Sequence, residues 1–165
     1  MTLSFLQPAD AYAAFNQHQV DAWAVWDPYT SQAQLDNGAR ILADGTGTSN
    51  GYTFDVASTK SLADAGKSAA IKDYVVRLAQ ARKWSDTHRA DWAAAWARDA
   101  GIKPEVALKA ANRGPDVPVP LQDTVVSSEQ ALADAFTDAK VLRSKLDFAN
   151  FVDRRFVPDL AAVTG

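Results

Sequence analysis

The sequence predicts an α/β fold: a short parallel β-α-β-α-β segment in the first forty-odd residues, followed by a mainly helical portion. As far as Leu42, short apolar runs alternate with helical patterns, which is typical of strands in a parallel sheet. Beyond Ser58, apolar residues recur every three to four positions, as they do in amphipathic helices. The 165 residues are enough for one domain with a core, or for two pieces of a larger fold.

The first segment contains three predicted strands and two predicted helices. Pro8 suits the first turn of a helix, and Asn37-Gly38 supplies a residue that tolerates the left-handed conformation at a helix end. The predicted elements are strands at Leu3–Leu6, Ala22–Trp26 and Arg40–Leu42, with helices opening at Pro8 and running from Asp27 to about Asp36.

Asp44–Gly51 consists of turn-forming residues and is predicted to be a linker or hinge. It has glycines and hydroxyls but no lysine, and it does not precede a helix, so a phosphate-binding loop is disfavoured. Tyr52–Ala57 then alternates like a strand, with Tyr52, Phe54 and Val56 on one face.

The remainder is predicted to be helical. Gly101 and Pro104 mark the end of one helix and the start of the next, and Pro115–Pro120 is predicted to be extended. The predicted elements are a helix ending near Trp84, a turn at Ser85–His88, helices at Arg89–Ala100, from Pro104 to Gly114 and around Val125–Ala139, a helical piece near Asp147–Phe156 that ends at Val157-Pro158, and a loose tail from Leu160 to Gly165.

Composition excludes several kinds of function. A net charge of −3 without a basic cluster disfavours nucleic acid as a partner. The absence of cysteine removes disulfides, thiolate nucleophiles and cysteine metal sites. His18 and His88 have no acidic residue at metal-ligand spacing, so we expect no metal and no cofactor. Residues 1–5 contain neither a basic leader nor a sustained apolar run, so we expect neither an export signal nor a membrane anchor in this chain.

Val20–Tyr29 is the best candidate for a functional edge. A predicted strand ends there at Trp26 and feeds a helix through Asp27-Pro28, and open α/β sheets bind ligands at the carboxyl ends of their strands. Trp26 and Tyr29 could form aromatic walls beside a helix N-terminus, while the alternative is a buried structural Trp26. No serine has the setting of a nucleophile and no carboxylate pair has catalytic spacing, so no catalytic residue is predicted.

These residues resemble the periplasmic solute-binding proteins of ABC importers for aliphatic sulfonates, in the nitrate/sulfonate/taurine group. The resemblance is to the C-terminal half of such proteins and covers almost the whole chain, and the Trp-Asp-Pro-Tyr block is its most specific part. It rests on Phe5–Ala11, Val20–Tyr29, Gly38–Gly45, Ala81–Trp84, Pro120-Leu121 and Glu129–Phe136.

The resemblance implies part of a two-lobed periplasmic-binding-protein type II fold. Residues 1–49 would be the end of lobe two, 50–57 a crossover strand, and 58–165 the helical end of lobe one. A truncated binding component would hold a small sulfonate or related anion between two lobes without chemistry, in the periplasm, and would deliver it to a membrane permease. The ligand-binding residues implied are Trp26, Asp27, Tyr29, Asn50 and Tyr52.

A chain lacking neighbouring strands would also expose a sheet edge and could self-associate there. Two alternatives remain open. One is a self-contained helical interaction module. The other is a relative of the pyrimidine-precursor synthesis enzymes of the same fold, which is disfavoured because those enzymes carry a cysteine-rich motif that this chain lacks.

Overall fold

A computed structural model describes residues 2–164. Met1 and Gly165, the outer ends of the first and last predicted segments, lie outside the described residues. The described part contains the helices α1 (Pro8–Asn16), α2 (Tyr29–Asn37), α3 (Thr59–Ala63), α4 (Ala65–Thr87), α5 (Arg89–Ala100), α6 (Pro104–Ala111), α7 (Asp123–Asp138) and α8 (Val157–Thr164), and a 3₁₀ turn at Phe148–Phe151.

The helices fall into two compact units. Unit 1 comprises the described residues up to 42 together with 85–115, and unit 2 comprises 43–84 together with the described residues from 116 onward. Unit 1 therefore contains α1, α2, α5 and α6, whereas unit 2 contains α3, most of α4, α7, the 3₁₀ turn and α8.

The predicted α/β class is wrong, because residues 2–164 contain no β-strand. The four segments predicted as strands, at 3–6, 22–26, 40–42 and 52–57, are irregular and most of their side chains are exposed. A strand exists only when a neighbouring strand accepts and donates its hydrogen bonds, whereas a helix satisfies its own backbone. The predicted parallel sheet, and the sheet edge predicted for self-association, are therefore absent from the described residues.

The predicted helix boundaries in the middle of the chain are confirmed. α5 ends at Ala100, and Gly101 follows with φ of 65°. α2 likewise ends before Gly38, whose φ is 64°. A side chain at either glycine would be strained in this left-handed conformation, so glycine sets the helix end. Pro104 occupies the first turn of α6, as predicted.

Several boundaries differ from the prediction. The helical piece predicted near Asp147–Phe156 is only a 3₁₀ turn at Phe148–Phe151, and the helix predicted from Asp27 begins at Tyr29. The turn predicted at Ser85–His88 is reduced to His88, because α4 continues through Thr87. Val157-Pro158 begins α8 instead of ending a helix, since proline is tolerated in the first helical turn, where its missing N–H is not needed. The tail predicted to be loose is therefore helical through Thr164.

In unit 1, α2 and α6 pack against each other in antiparallel orientation, as the ion pairs at the two ends of the helix pair show. Lys103, just before α6, donates from Nζ to Asp36 Oδ1 near the end of α2 at 2.6 Å. Arg113, just after α6, pairs with Asp27, just before α2. Tight contact between α5 and α6 is possible because small side chains meet there: Ala93, Ala97 and Ala107 are buried together, with Trp96 and Ile102 at the margin.

In unit 2, α7 holds the segment that follows it. Gln130 accepts from the Phe148 N–H through Oε1 at 2.7 Å and donates through Nε2 to the Leu146 carbonyl at 2.9 Å. Phe148 contacts Phe54 edge to face at 5.9 Å between ring centroids. Ion pairs add further links, including Lys72 with Asp159 at 3.4 Å. Within residues 2–164, every helix is too short or too polar to span a bilayer.

Candidate functional site

Trp26 and Tyr29 flank the start of α2 in unit 1. Trp26 is 67% exposed, so the alternative of a buried structural tryptophan is wrong. Neither the Trp26 indole N–H nor the Tyr29 hydroxyl has a hydrogen-bond partner among residues 2–164. Both groups can therefore donate a hydrogen bond to a ligand.

Tyr29 is positioned by an aromatic cluster, which we define as Tyr12, Phe15, Trp23 and Tyr29. The Trp23 ring lies edge-on to the Tyr29 ring at 5.7 Å between centroids, and Tyr12 lies 6.5 Å from Tyr29. Tyr12 belongs to α1, and its hydroxyl donates to Asp36 Oδ2 at 2.9 Å, which ties α1 to α2. The cluster fixes the direction of the Tyr29 ring, because a ring packed between two others, Tyr12 and Trp23, has few alternative rotamers.

The side-chain carboxylate of Asp27 is bound by groups of the protein itself. Its Oδ1 accepts from the Ser31 N–H at 3.0 Å and from the Ser31 hydroxyl at 2.7 Å, and its Oδ2 accepts from Arg113 Nε. The carboxylate satisfies a free N–H of the first turn of α2 and complements the positive end of the helix. The N-terminus of α2, beside which a ligand was predicted to bind, is therefore already occupied by a carboxylate of the chain itself.

The other two predicted residues belong to unit 2. Asn50 donates from Nδ2 to Ser128 Oγ at 3.1 Å and to Glu129 Oε1 at 2.5 Å, both on α7. Its Oδ1 accepts from the Tyr52 N–H at 3.1 Å. Asn50 thus fixes the predicted hinge segment against α7, and both of its amide N–H donors are engaged. Tyr52 packs edge to face on Phe54.

A cavity of about 330 Å³ lies within unit 2 beside Asn50. One wall is a polar turn, and the other is a face of α7 that combines Ser128 with aliphatic side chains. Asp44 stabilises the turn through a hydrogen bond from the Thr46 N–H, which holds the pKa of that carboxyl below its ordinary value. The lining residues are Gly47, Thr48, Ser49, Asn50, Ser128, Ala131, Leu132 and Ala135.

Sequence reasoning missed Arg113, Ser31 and Ser128. Arg113 and Asp27 are 86 residues apart in the sequence, and no local pattern signals such a contact. Ser31 is fully buried, which its polar helical neighbours do not indicate. Among the described residues, no group of three or more His, Cys, Asp or Glu side chains could hold a metal ion.

Comparison with known sequences shows which proteins this chain resembles. No protein-family model matches the chain. Two curated proteins that are named as aliphatic sulfonates-binding proteins do match it. The Escherichia coli K12 protein is 34% identical over 145 residues, covering 87% of this chain and 45% of the relative. The Bacillus subtilis 168 protein is 29% identical over 164 residues, covering 95% and 47%. The chain thus spans about half the length of these relatives.

Two solved structures are similar in fold. One is the periplasmic aliphatic sulphonate binding protein SsuA of E. coli, with a TM-score of 0.75 and 32% identity, covering 91% of this chain and 48% of that one. The other is the alkanesulfonate-binding protein SsuA of Xanthomonas axonopodis pv. citri bound to MOPS, with a TM-score of 0.74, 32% identity, and coverage of 92% and 52%.

The resemblance predicted from the sequence is therefore confirmed, while the assignment to the C-terminal half, the domain boundaries and the individual ligand-binding residues stay predictions. The chain is related, over nearly its whole length and in both sequence and fold, to the aliphatic sulfonate-binding proteins.

Proposed function

We propose that this chain is part of the substrate-binding component of an ABC importer for small organic sulfonates. The observation that carries the proposal is the similarity over nearly the whole chain to aliphatic sulfonate-binding proteins, one of which was solved with MOPS bound. Since the chain spans about half of each relative, sulfonate binding, a periplasmic location and delivery to a membrane permease are all parts of the proposal. The protein binds its ligand without chemical change and is not an enzyme.

Unit 1 offers the groups that a sulfonate requires. A sulfonate is an anion whose oxygens only accept hydrogen bonds, and it is attached to an apolar tail. The free indole N–H of Trp26 and the free hydroxyl of Tyr29 are donors, and the exposed Trp26 ring provides an apolar face. We therefore propose Trp26 and Tyr29 as ligand contacts, with the ring against the tail.

Unit 2 supports the proposal through the lining of its cavity. The Ser49 hydroxyl lines the cavity together with Leu132 and the alanines of α7, whereas the Thr48 hydroxyl donates to the Gly45 carbonyl at 3.3 Å. A donor beside apolar surface is typical of small-molecule sites. We propose that Asn50 holds this turn in place and that the Tyr52 hydroxyl, which has no partner among residues 2–164, is available to a ligand.

Protein-observed NMR on the 165-residue chain tests the proposal, because chemical-shift changes detect even millimolar affinity. Butanesulfonate is the probe, butanol controls for the tail, and sulfate controls for the anion. We expect butanesulfonate to shift the indole resonance of Trp26 more than either control does. An absence of saturable shifts with butanesulfonate, MOPS and taurine would count against the function.

A matched pair of tyrosine variants tests the unit 1 contact. Tyr29→Phe removes only the free hydroxyl, and we expect butanesulfonate to bind about tenfold more weakly, as for a hydrogen bond to a charged acceptor. Tyr74→Phe makes the same change on α4, where Tyr74 is exposed, and should leave the affinity unchanged. Equal affinities for the two variants would remove Tyr29 from the site.

A further inference from the structure

Arg113 connects the end of α6 to the start of α2 through a set of hydrogen bonds. Its Nε donates to Asp27 Oδ2, and its Nη2 lies 3.4 Å from Asp27 Oδ1, 2.9 Å from Ser31 Oγ and 3.2 Å from Gln34 Oε1. Ser31 is fully buried, and its hydroxyl accepts from Arg113 while donating to Asp27. The guanidinium is therefore held in one geometry.

These contacts use the acceptor capacity of Asp27. A carboxylate offers about four lone-pair positions. Oδ1 accepts from the Ser31 N–H, the Ser31 hydroxyl and Arg113 Nη2, which saturates it, and Oδ2 accepts from Arg113 Nε. A carboxylate and a sulfonate are moreover both acceptors and both anions, so Asp27 has no favourable contact to offer the ligand. Asp27 was predicted to bind the ligand directly, and its surroundings favour an indirect role.

We propose that Arg113 is a positioning residue for sulfonate binding, which neutralises the Asp27 carboxylate and fixes the Trp26–Tyr29 segment for an approaching anion. This inference rests on the proposed function. Asp27 directly follows Trp26 in the chain and is two residues from Tyr29. An uncompensated carboxylate there repels a bound anion, and because Trp26 is exposed to solvent, added salt screens that repulsion.

Unit 1 supplies a matched control at the opposite end of the same helix pair. Lys103 and Asp36 also join α6 to α2 by an ion pair, with 59% and 23% of their side chains exposed, against 37% and 20% for Arg113 and Asp27. Removing Lys103 perturbs the packing of α2 on α6 in a similar way. It does so at the end of α2 that is remote in sequence from Trp26 and Tyr29.

Four variants of the full chain test the inference by NMR titration with MOPS: Arg113→Met, Asp27→Asn, the double variant of both, and Lys103→Met. We expect Arg113→Met to weaken binding by about tenfold or more, with a defect that shrinks at high salt. The double variant should regain affinity to within about threefold of the wild type, because the exposed negative charge is gone. Asp27→Asn leaves the Arg113 charge uncompensated and should bind more tightly than the wild type, whereas Lys103→Met should bind about as well as the wild type.

The outcomes separate this inference from the proposed function. If the wild-type chain binds no sulfonate, the proposed function and this inference both fall. If the wild type binds but the double variant is as weak as Arg113→Met, Arg113 is only structural and this inference alone is overturned. Wild-type affinity in Arg113→Met also overturns it. Hydrogen exchange of the Ser31 amide checks the clamp independently of ligand, and it should become faster in Arg113→Met and remain unchanged in Lys103→Met.

Discussion

Replacing Ala93 with leucine should destabilise unit 1 strongly, whereas the same replacement at the next residue should not. Ala93 is 2% exposed and is buried with Ala97 and Ala107, the last of which is fully buried. A leucine at this position has no space between α5 and α6, so the helices must separate or the side chain must adopt a strained rotamer. Ala94 is exposed on the same helix.

The expected difference follows from overpacking. Extra methylene groups in a packed core typically cost about 1–3 kcal/mol, and the bulk of leucine against a fully buried alanine places Ala93→Leu near about 3 kcal/mol. Ala94→Leu makes the same change in helix propensity at a surface position, where effects stay within about 0.5 kcal/mol. With a urea m-value of about 2 kcal/mol/M, the midpoint of Ala93→Leu should fall by about 1.5 M.

Urea unfolding followed by near-UV circular dichroism measures this difference. Trp92 and Trp96 stack on α5 with ring centroids 6.0 Å apart, so their signal reports the packing of the mutated helix. Wild-type midpoints in both Ala93→Leu and Ala94→Leu would refute the close contact of α5 with α6. A midpoint lowered equally in both would indicate that leucine acts through the helix itself and not through the α5–α6 interface.

Two further predictions concern the same unit. The pKa of Asp36 is held below its ordinary value of 3.8, first by the hydrogen bond from Lys103, so this stabilising interaction is present above pH 3.8 and is lost as the pH falls through the lower folded-state pKa. In NMR titrations of the carboxyl groups, Lys103→Met should raise the Asp36 pKa, whereas the matched change Lys109→Met on α6 should not. Equal Asp36 pKa values in the two variants would contradict the ion pair of Lys103 with Asp36. Gly101→Ala should lower the free energy of unfolding in urea by about 1–2 kcal/mol, because Gly101 has a φ of 65°. Gly114→Ala is the control and should cost much less, because its φ is not positive and an added Cβ there meets open space. Similar losses in both variants would show that glycine does not set the end of α5.

The candidate site was only partly predictable from the sequence. Trp26 and Tyr29 stand out locally, because aromatic residues flank a helix start, and both have free donors in the structure. Asp27 was predicted to start the second helix, which begins at Tyr29 instead. Its partner Arg113 is 86 residues away, and a contact of that range leaves no local pattern. The cavity in unit 2 likewise joins a turn at residues 47–50 to one face of α7, which neither segment specifies alone.

The sequence by itself determined where α2 and α5 end, at Gly38 and Gly101, and where α6 begins, at Pro104, because helices form hydrogen bonds within one segment and are bounded by residues with special backbone geometry. It also determined the relation to sulfonate-binding proteins. Only the tertiary structure decided the conformation of segments such as Ala22–Trp26. They have a strand-like composition, but they are irregular because no strand lies beside them among residues 2–164. Strand formation depends on a partner elsewhere in the fold, and so do the ion pair of Asp27 with Arg113 and the packing of α5 on α6.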